Sequence, residues 1–244
     1  MKTIGICISL DENDDINKVK LFLESLFKSV NYGMINYYIH LNSVGSYREL
    51  AKYLEQLTVT SPFVNDDNER DRHFIDLQFS DSSLYESYNK LIKLVKEDYI
   101  CILPKGLYLN NNWHLNLLNY YTEIPTSGII SINCGVEKTY YSAVLSYDKM
   151  KTILMPTNYI LSGLLFMKKS LVHFMGGFDC SLIGYEREEI CYRSRANGYV
   201  NYYALKDNCI DTIYKHETKD SISKQMYEES VKSMNKNKIF KKQL

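Results

Sequence analysis

The densest run of chemically capable residues lies between Leu161 and Tyr199. Ser162 and Gly163 open it as a small-residue pair. Gly176 and Gly177 form a glycine turn followed by Phe178 and Asp179. Three carboxylates, Glu186, Glu188 and Glu189, then flank Arg187 ahead of Arg193, Arg195 and Gly198. Successive glycines permit positive φ and close approach of a ligand or a second backbone. Carboxylates gathered at a helix start either complement its dipole or do acid–base work, and the residue types alone leave both open. The pattern reads as strand, short helix, glycine-rich loop, and a helix entered through acids and ended at Gly198.

The elements that must position these residues are legible upstream. Thr3–Leu10 is a β-rich apolar run, and Asn17–Val30 repeats Val19, Leu23, Leu26, Phe27 and Val30 at helical spacing. Met34–Asn42 predicts a second strand. Ser46–Leu57 predicts a helix with Ser46 as N-cap and Glu49 at the capping-box position. Thr58–Arg72 reads as a loop, His73–Phe79 as a strand, and Asp81–Glu97 as a helix capped by Asp81 or Ser82. Asp98–Pro104 is a strand stopped by Pro104 and Gly106, Asn111–Glu123 a helix, and Ser127–Asn133 a strand. Short β segments follow around Thr139–Leu145 and Lys151–Met155, and Val200–Tyr214 holds one or two late strands. Strand and helix alternate with crossovers long enough for parallel pairing, which predicts a doubly wound α/β sheet with its ligand edge at the carboxyl ends of the strands.

Bulk properties bound the function. The 244 residues suit one main core; 45% are hydrophobic and 24% charged. Lys plus Arg and Asp plus Glu both number 29, so no global field points to nucleic acid or a membrane. Tyrosine is abundant at 22 residues, an abundance shared with Asn, Lys and Ile. Cys7, Cys101, Cys134, Cys180, Cys191 and Cys209 form no C-x-x-C pair and read as buried free thiols. The apolar run Ile4–Leu10 is short and meets Asp11 and Glu12 at once, so a cytoplasmic protein is expected.

The order Gly176–Asp179 (GGFD), Tyr185–Arg193 (YEREEICYR) and Asn197–Tyr199 (NGY) resembles the C-terminal half of GT-A glycosyltransferases, in the large inverting family that uses nucleotide-sugar donors. The resemblance reaches to about His216. It implies a GT-A domain over residues 1–216, with a mixed, mostly parallel sheet flanked by helices, followed by a Lys-rich helical tail over 217–244. That tail could touch an anionic membrane, which would make the protein peripheral at the inner face.

The resemblance also assigns roles. Donor binding falls to Ser9 and Asn42 at the ends of the first two strands, to Asp81 and Asn89 around the third helix, and to Ser162, Gly163 and Arg187. Asn42 can offer hydrogen bonds to a uracil-like edge, and Asp81 is equally a helix cap. Gly177 and Asp179 fall on the acceptor side, and His216 matches a late His near the diphosphate. The acidic DxD element that holds Mn²⁺ or Mg²⁺ in the family is replaced by Pro104, Lys105 and Gly106. That puts an ordinary metal site in doubt and offers Lys105 as a point charge for the diphosphate. The family's base carboxylate aligns with Arg187, leaving Glu186, Glu188 or Glu189 as the catalytic candidates. Two functions are therefore expected. One is sugar transfer from a nucleotide sugar to a glycan, lipid-linked or protein acceptor, without the usual metal. The other is a non-catalytic GT-A-like binding or assembly module; a nucleotidyltransferase is weaker, since it too needs acidic metal ligands.

Overall fold

The computed structural model describes residues 2–11, 14–30, 35–42, 48–59, 74–132, 145–147, 152–160, 163–182, 184–204 and 209–212. In chain order the strands are Ile4–Asp11 (β1), Ile35–Asn42 (β2), Phe74–Phe79 (β3), Tyr99–Ile102 (β4), Leu107–Leu109 (β5), Ser127–Ile132 (β6), Leu145–Tyr147 (β7), Thr152–Thr157 (β8), Leu165–Lys168 (β9), Val200–Ala204 (β10) and Cys209–Thr212 (β11). The helices are Ile16–Lys28 (α1), Arg48–Val59 (α2), Leu84–Leu94 (α3), Trp113–Glu123 (α4), Lys169–Met175 (α5) and Glu186–Ala196 (α6). Among the described residues, nine strands form one sheet in the order β3-β2-β1-β4-β9-β6-β10-β8-β7, and β5 pairs with β11 apart from it. The pairs β1–β2, β2–β3, β1–β4 and β6–β10 are parallel. Strands β9 and β8 run against their neighbours, so the sheet is mixed and mostly parallel, as the resemblance implies, and not the all-parallel pairing that the alternation alone suggests.

The two faces are covered by different helices. Ile4, Ile6, Ile8 and Leu10 alternate toward the face packed by α1, α2 and α4, where Phe22, Leu54 and Trp113 are buried. Cys7 points the other way, with Ile100 and Ile102, into a second core under α3, α5 and α6. Asp15 caps α1 by accepting from Asn17 N at 2.9 Å. Ser29, at the far end of α1, accepts from Trp113 Nε1 at 3.2 Å and ties α4 to α1.

Several boundaries differ from the expectation. Helix α3 starts at Leu84, and its N-cap is Ser83, whose N–H is held by Glu86 at 2.8 Å, so neither Asp81 nor Ser82 caps it. The helix stops at Leu94. Glu97 is instead a buried carboxylate at the amino edge of the sheet, accepting from Asn36, from Tyr38 Oη at 2.9 Å and from Lys96 N at 3.0 Å. Strand β5 and the insertion of antiparallel β9 between β4 and β6 were not anticipated. The expected cap Ser46, residue Cys134, His216 and the tail 217–244 lie outside the described residues. Cys7, Cys101 and Cys191 are buried free thiols, and Cys180 is half-buried. Among the described residues, no helix is long and apolar enough to cross a membrane.

Candidate functional site

Strand register gathers separate segments at the carboxyl rim. Asp11 lies opposite Asn42 across β1 and β2. Cys7 pairs with Ile102, and Leu103 N donates to Cys7 O at 2.9 Å, so Pro104, Lys105 and Gly106 leave the sheet beside Ser9–Asp11. Ile102 pairs with Leu165, which sets Gly163 and Leu164 on the other flank of that exit. Ser9, Asn42, Lys105 and Gly163 thus share one rim; Ser162 lies outside the described residues.

Lys105 stands where the resemblance puts metal-binding acids. Its ammonium forms an ion pair with Asp14 Oδ1. The other oxygen of Asp14 accepts from Asp11 N at 2.7 Å, and Asp14 N donates to Asp11 O at 3.0 Å, so a tight turn after β1 presents the carboxylate. The described residues of this exit do not suit a divalent cation. Pro104 and Gly106 offer no side-chain oxygen, and the Lys105 ammonium would repel a cation.

Beside this exit, Asn42 is held in one orientation. Its Oδ1 accepts from the backbone N–H of Ser82 at 3.1 Å, so the oxygen is turned inward and the amide NH₂ remains to donate. Behind it, His40 is buried, with Nε2 2.8 Å from Ser80 Oγ, while Lys90 donates to the same hydroxyl at 2.7 Å. Burial, and then the charge of Lys90, hold His40 below the usual histidine range. Asp81 is exposed and carries no capping duty.

The residues of the central stretch divide between frame and opening. Asn89 is frame: its Nδ2 donates to Phe178 O at 2.9 Å and its Oδ1 accepts from Phe178 N at 2.8 Å. A Cβ on Gly177 would lie 2.4 Å from that Oδ1, so glycine is required there for space as well as for its φ of +81°. Phe178 then packs against Tyr85 and Tyr88 of α3. Asp179 is exposed and closes its own turn, accepting from Ser181 N at 3.0 Å and Ser181 Oγ at 2.6 Å. Arg193 braces the same loop by donating to Gly177 O at 2.7 Å and to Met175 O, and it pairs with Glu189.

Arg187 turns away from solvent chemistry. Its Nη2 donates to Gly163 O at 2.5 Å and its Nε to Ile160 O at 3.3 Å, pinning the start of α6 to the segment that flanks the Lys105 exit. Of the three carboxylates in that first helical turn, all are buried and Glu189 is committed to Arg193. The Cys180 thiol is pushed up by burial and then by the negative charges of Glu86 and Glu186. Sequence reasoning missed Asp14, His40 and Ser82. Asp14 was one acid in the run Asp11–Asp15, and only the turn singles it out. A cleft of about 300 Å³ lined by Thr157, Tyr192, Arg195 and Tyr199 lies at the opposite rim, near the start of β10, and contains none of the expected site residues.

No protein-family model and no curated protein matches the sequence. Solved structures match the fold. GalNAc-T7 with UDP, GalNAc and Mn²⁺ superposes with a TM-score of 0.66 at 12% identity, over 88% of this chain and 44% of that one. Residues 1–349 of S. aureus TarS in complex with UDP-GlcNAc superpose with a TM-score of 0.63 at 12% identity, over 88% of this chain and 60% of that one. Both are GT-A glycosyltransferases, and the chain has the GT-A fold. It spans 60% or less of the length of these neighbours.

Proposed function

We propose that the carboxyl rim is the donor site of a glycosyltransferase that takes a uridine diphosphate sugar, with Lys105 in the place of the metal. The observation that carries this reading is the position of Lys105, an ammonium held between the ends of β1 and β4 where a leaving diphosphate would lie. A positive point charge stabilises the charge that grows on a departing phosphate. Asn42 supports the choice of base. Its free NH₂ donates, so it suits a keto oxygen such as uracil presents and is mismatched to an exocyclic amino group. Two structures that share the fold carry UDP or a UDP-sugar, which agrees with that chemistry. Exposed Asp81 and buried Ser9 would complete the nucleotide side, with Gly163 walling it.

Gly177 and Asp179 would line the acceptor side, and Glu186 would take the acceptor's proton. Glu188 shares its helical turn, while Glu189 serves its ion pair with Arg193. The acceptor would be a glycan, a lipid-linked sugar or a protein. One observation favours the second reading, a donor-binding module without transfer. Arg187, aligned with the family's base, is spent on the carbonyls of Ile160 and Gly163.

A thermal-shift panel of UDP, CDP, ADP and GDP, each in EDTA and in Mn²⁺, tests the donor site. UDP should raise the melting temperature equally in both, and CDP and ADP should not. No shift with UDP under either condition would overturn the reading. Release of free UDP from a UDP-sugar, lost in Glu186→Gln, would separate transferase from binding module.

A further inference from the structure

The Lys105–Asp14 pair has a second meaning, which rests on the donor reading above. We propose that Asp14 is a positioning residue that stands in for the donor's phosphate, competing with it for Lys105 and thereby setting donor affinity. Three features of the turn support exchange over a permanent pair. Asp14 does not depend on Lys105 for its own placement, because its second oxygen is held by Asp11 N and its own N–H by Asp11 O. The carboxylate therefore keeps its seat when the ammonium leaves. Lys105 carries its charge on a flexible stem with three donors, and its side chain keeps 32% exposure, so it can swing to a ligand without breaking the core.

The third feature is the location. Asp14 Oδ1 meets the ammonium at the exit of β4, so the carboxylate sits beside the point from which Lys105 would reach a phosphate oxygen. In the resting protein the carboxylate neutralises Lys105. An arriving diphosphate, with more negative charge than one carboxylate, draws the ammonium away, and Asp14 then opposes the bound phosphate by like-charge repulsion. The site thus holds its donor less tightly than a bare lysine would, which favours release of the nucleoside diphosphate after transfer.

The test is calorimetric titration of UDP, in EDTA, into the wild-type chain, Asp14→Asn and Asp15→Asn. Asparagine at 14 still accepts from Asp11 N, so the turn is kept. Asp15 caps α1, while the ion pair of Lys105 is with Asp14, so Asp15→Asn applies the same charge change one residue away. Competition predicts about tenfold tighter UDP binding in Asp14→Asn, a ~1.4 kcal/mol change, and little gain in Asp15→Asn. Unchanged or weaker binding in Asp14→Asn would mean that Asp14 only supports Lys105, and would overturn the proposal. An equal gain in Asp15→Asn would overturn it too, by reducing the effect to general charge. If UDP binds none of the three proteins, the donor reading itself fails and the competition with it.

Discussion

Gly177 offers a quantitative test of how the central loop is built, because Gly176 beside it is a natural control. Both residues have positive φ, +79° and +81°, and both lie in the turn that leaves α5. A Cβ on Gly176 meets nothing within 4 Å, whereas one on Gly177 meets Asn89 Oδ1 at 2.4 Å. Alanine at 176 therefore carries the left-handed penalty alone, ~1–2 kcal/mol. Alanine at 177 carries the same penalty and also displaces the Asn89 amide from Phe178 N and O, two hydrogen bonds worth about 1 kcal/mol net each. The difference, ~2 kcal/mol, corresponds to roughly 4–8 °C in melting temperature for a chain of this size. Thermal melts of Gly176→Ala, Gly177→Ala and Asn89→Ala, and of Gly177→Ala in the Asn89→Ala background, separate the terms. With Asn89 gone, Gly177→Ala should cost no more than Gly176→Ala. Equal melting temperatures for the two single glycine variants, or an unchanged gap without Asn89, would refute this account of the loop.

His114 on α4 is fully buried with neither ring nitrogen paired, and burial holds it down to about 4 from its ordinary 6.5. Its folded value lies below its unfolded one, so its contribution is complete above pH 6.5 and is lost as pH falls toward 4. Denaturation curves across that window should show a loss of up to ~3 kcal/mol that His114→Leu flattens. Glu97→Ala strips acceptors from Asn36, Tyr38 and Lys96 N at the amino edge, and chemical denaturation should report ~2–4 kcal/mol of lost stability with the donor rim unaltered.

Much of the fold was legible because periodicity reports burial. The apolar run of β1 is buried on both faces of the sheet, and the α1 stripe at Val19, Leu23, Leu26 and Phe27 enters the core where its spacing puts it. Antiparallel β9 was less legible, since a short buried apolar run such as Leu165–Lys168 carries no sign of its direction. Site geometry was the least legible. Asn89 suggested a nucleotide ligand, yet its amide closes on Phe178, a partner 89 residues away that no local pattern signals. Arg187 and Arg193 likewise reach backbone carbonyls, which have no sequence signature. The replacement at Pro104–Gly106 was visible in the sequence, but the counter-charge that holds Lys105 came only with the turn at Asp14.

The most direct measurement is a calorimetric titration of UDP, in EDTA, into the wild-type chain and into Lys105→Ala. The account predicts that UDP binds without metal and that Lys105→Ala weakens it about tenfold or more, since one charge-assisted contact to phosphate contributes ~1.5–3 kcal/mol. Binding that appears only with Mn²⁺, or equal affinity in the two proteins, would contradict a lysine in the metal's place.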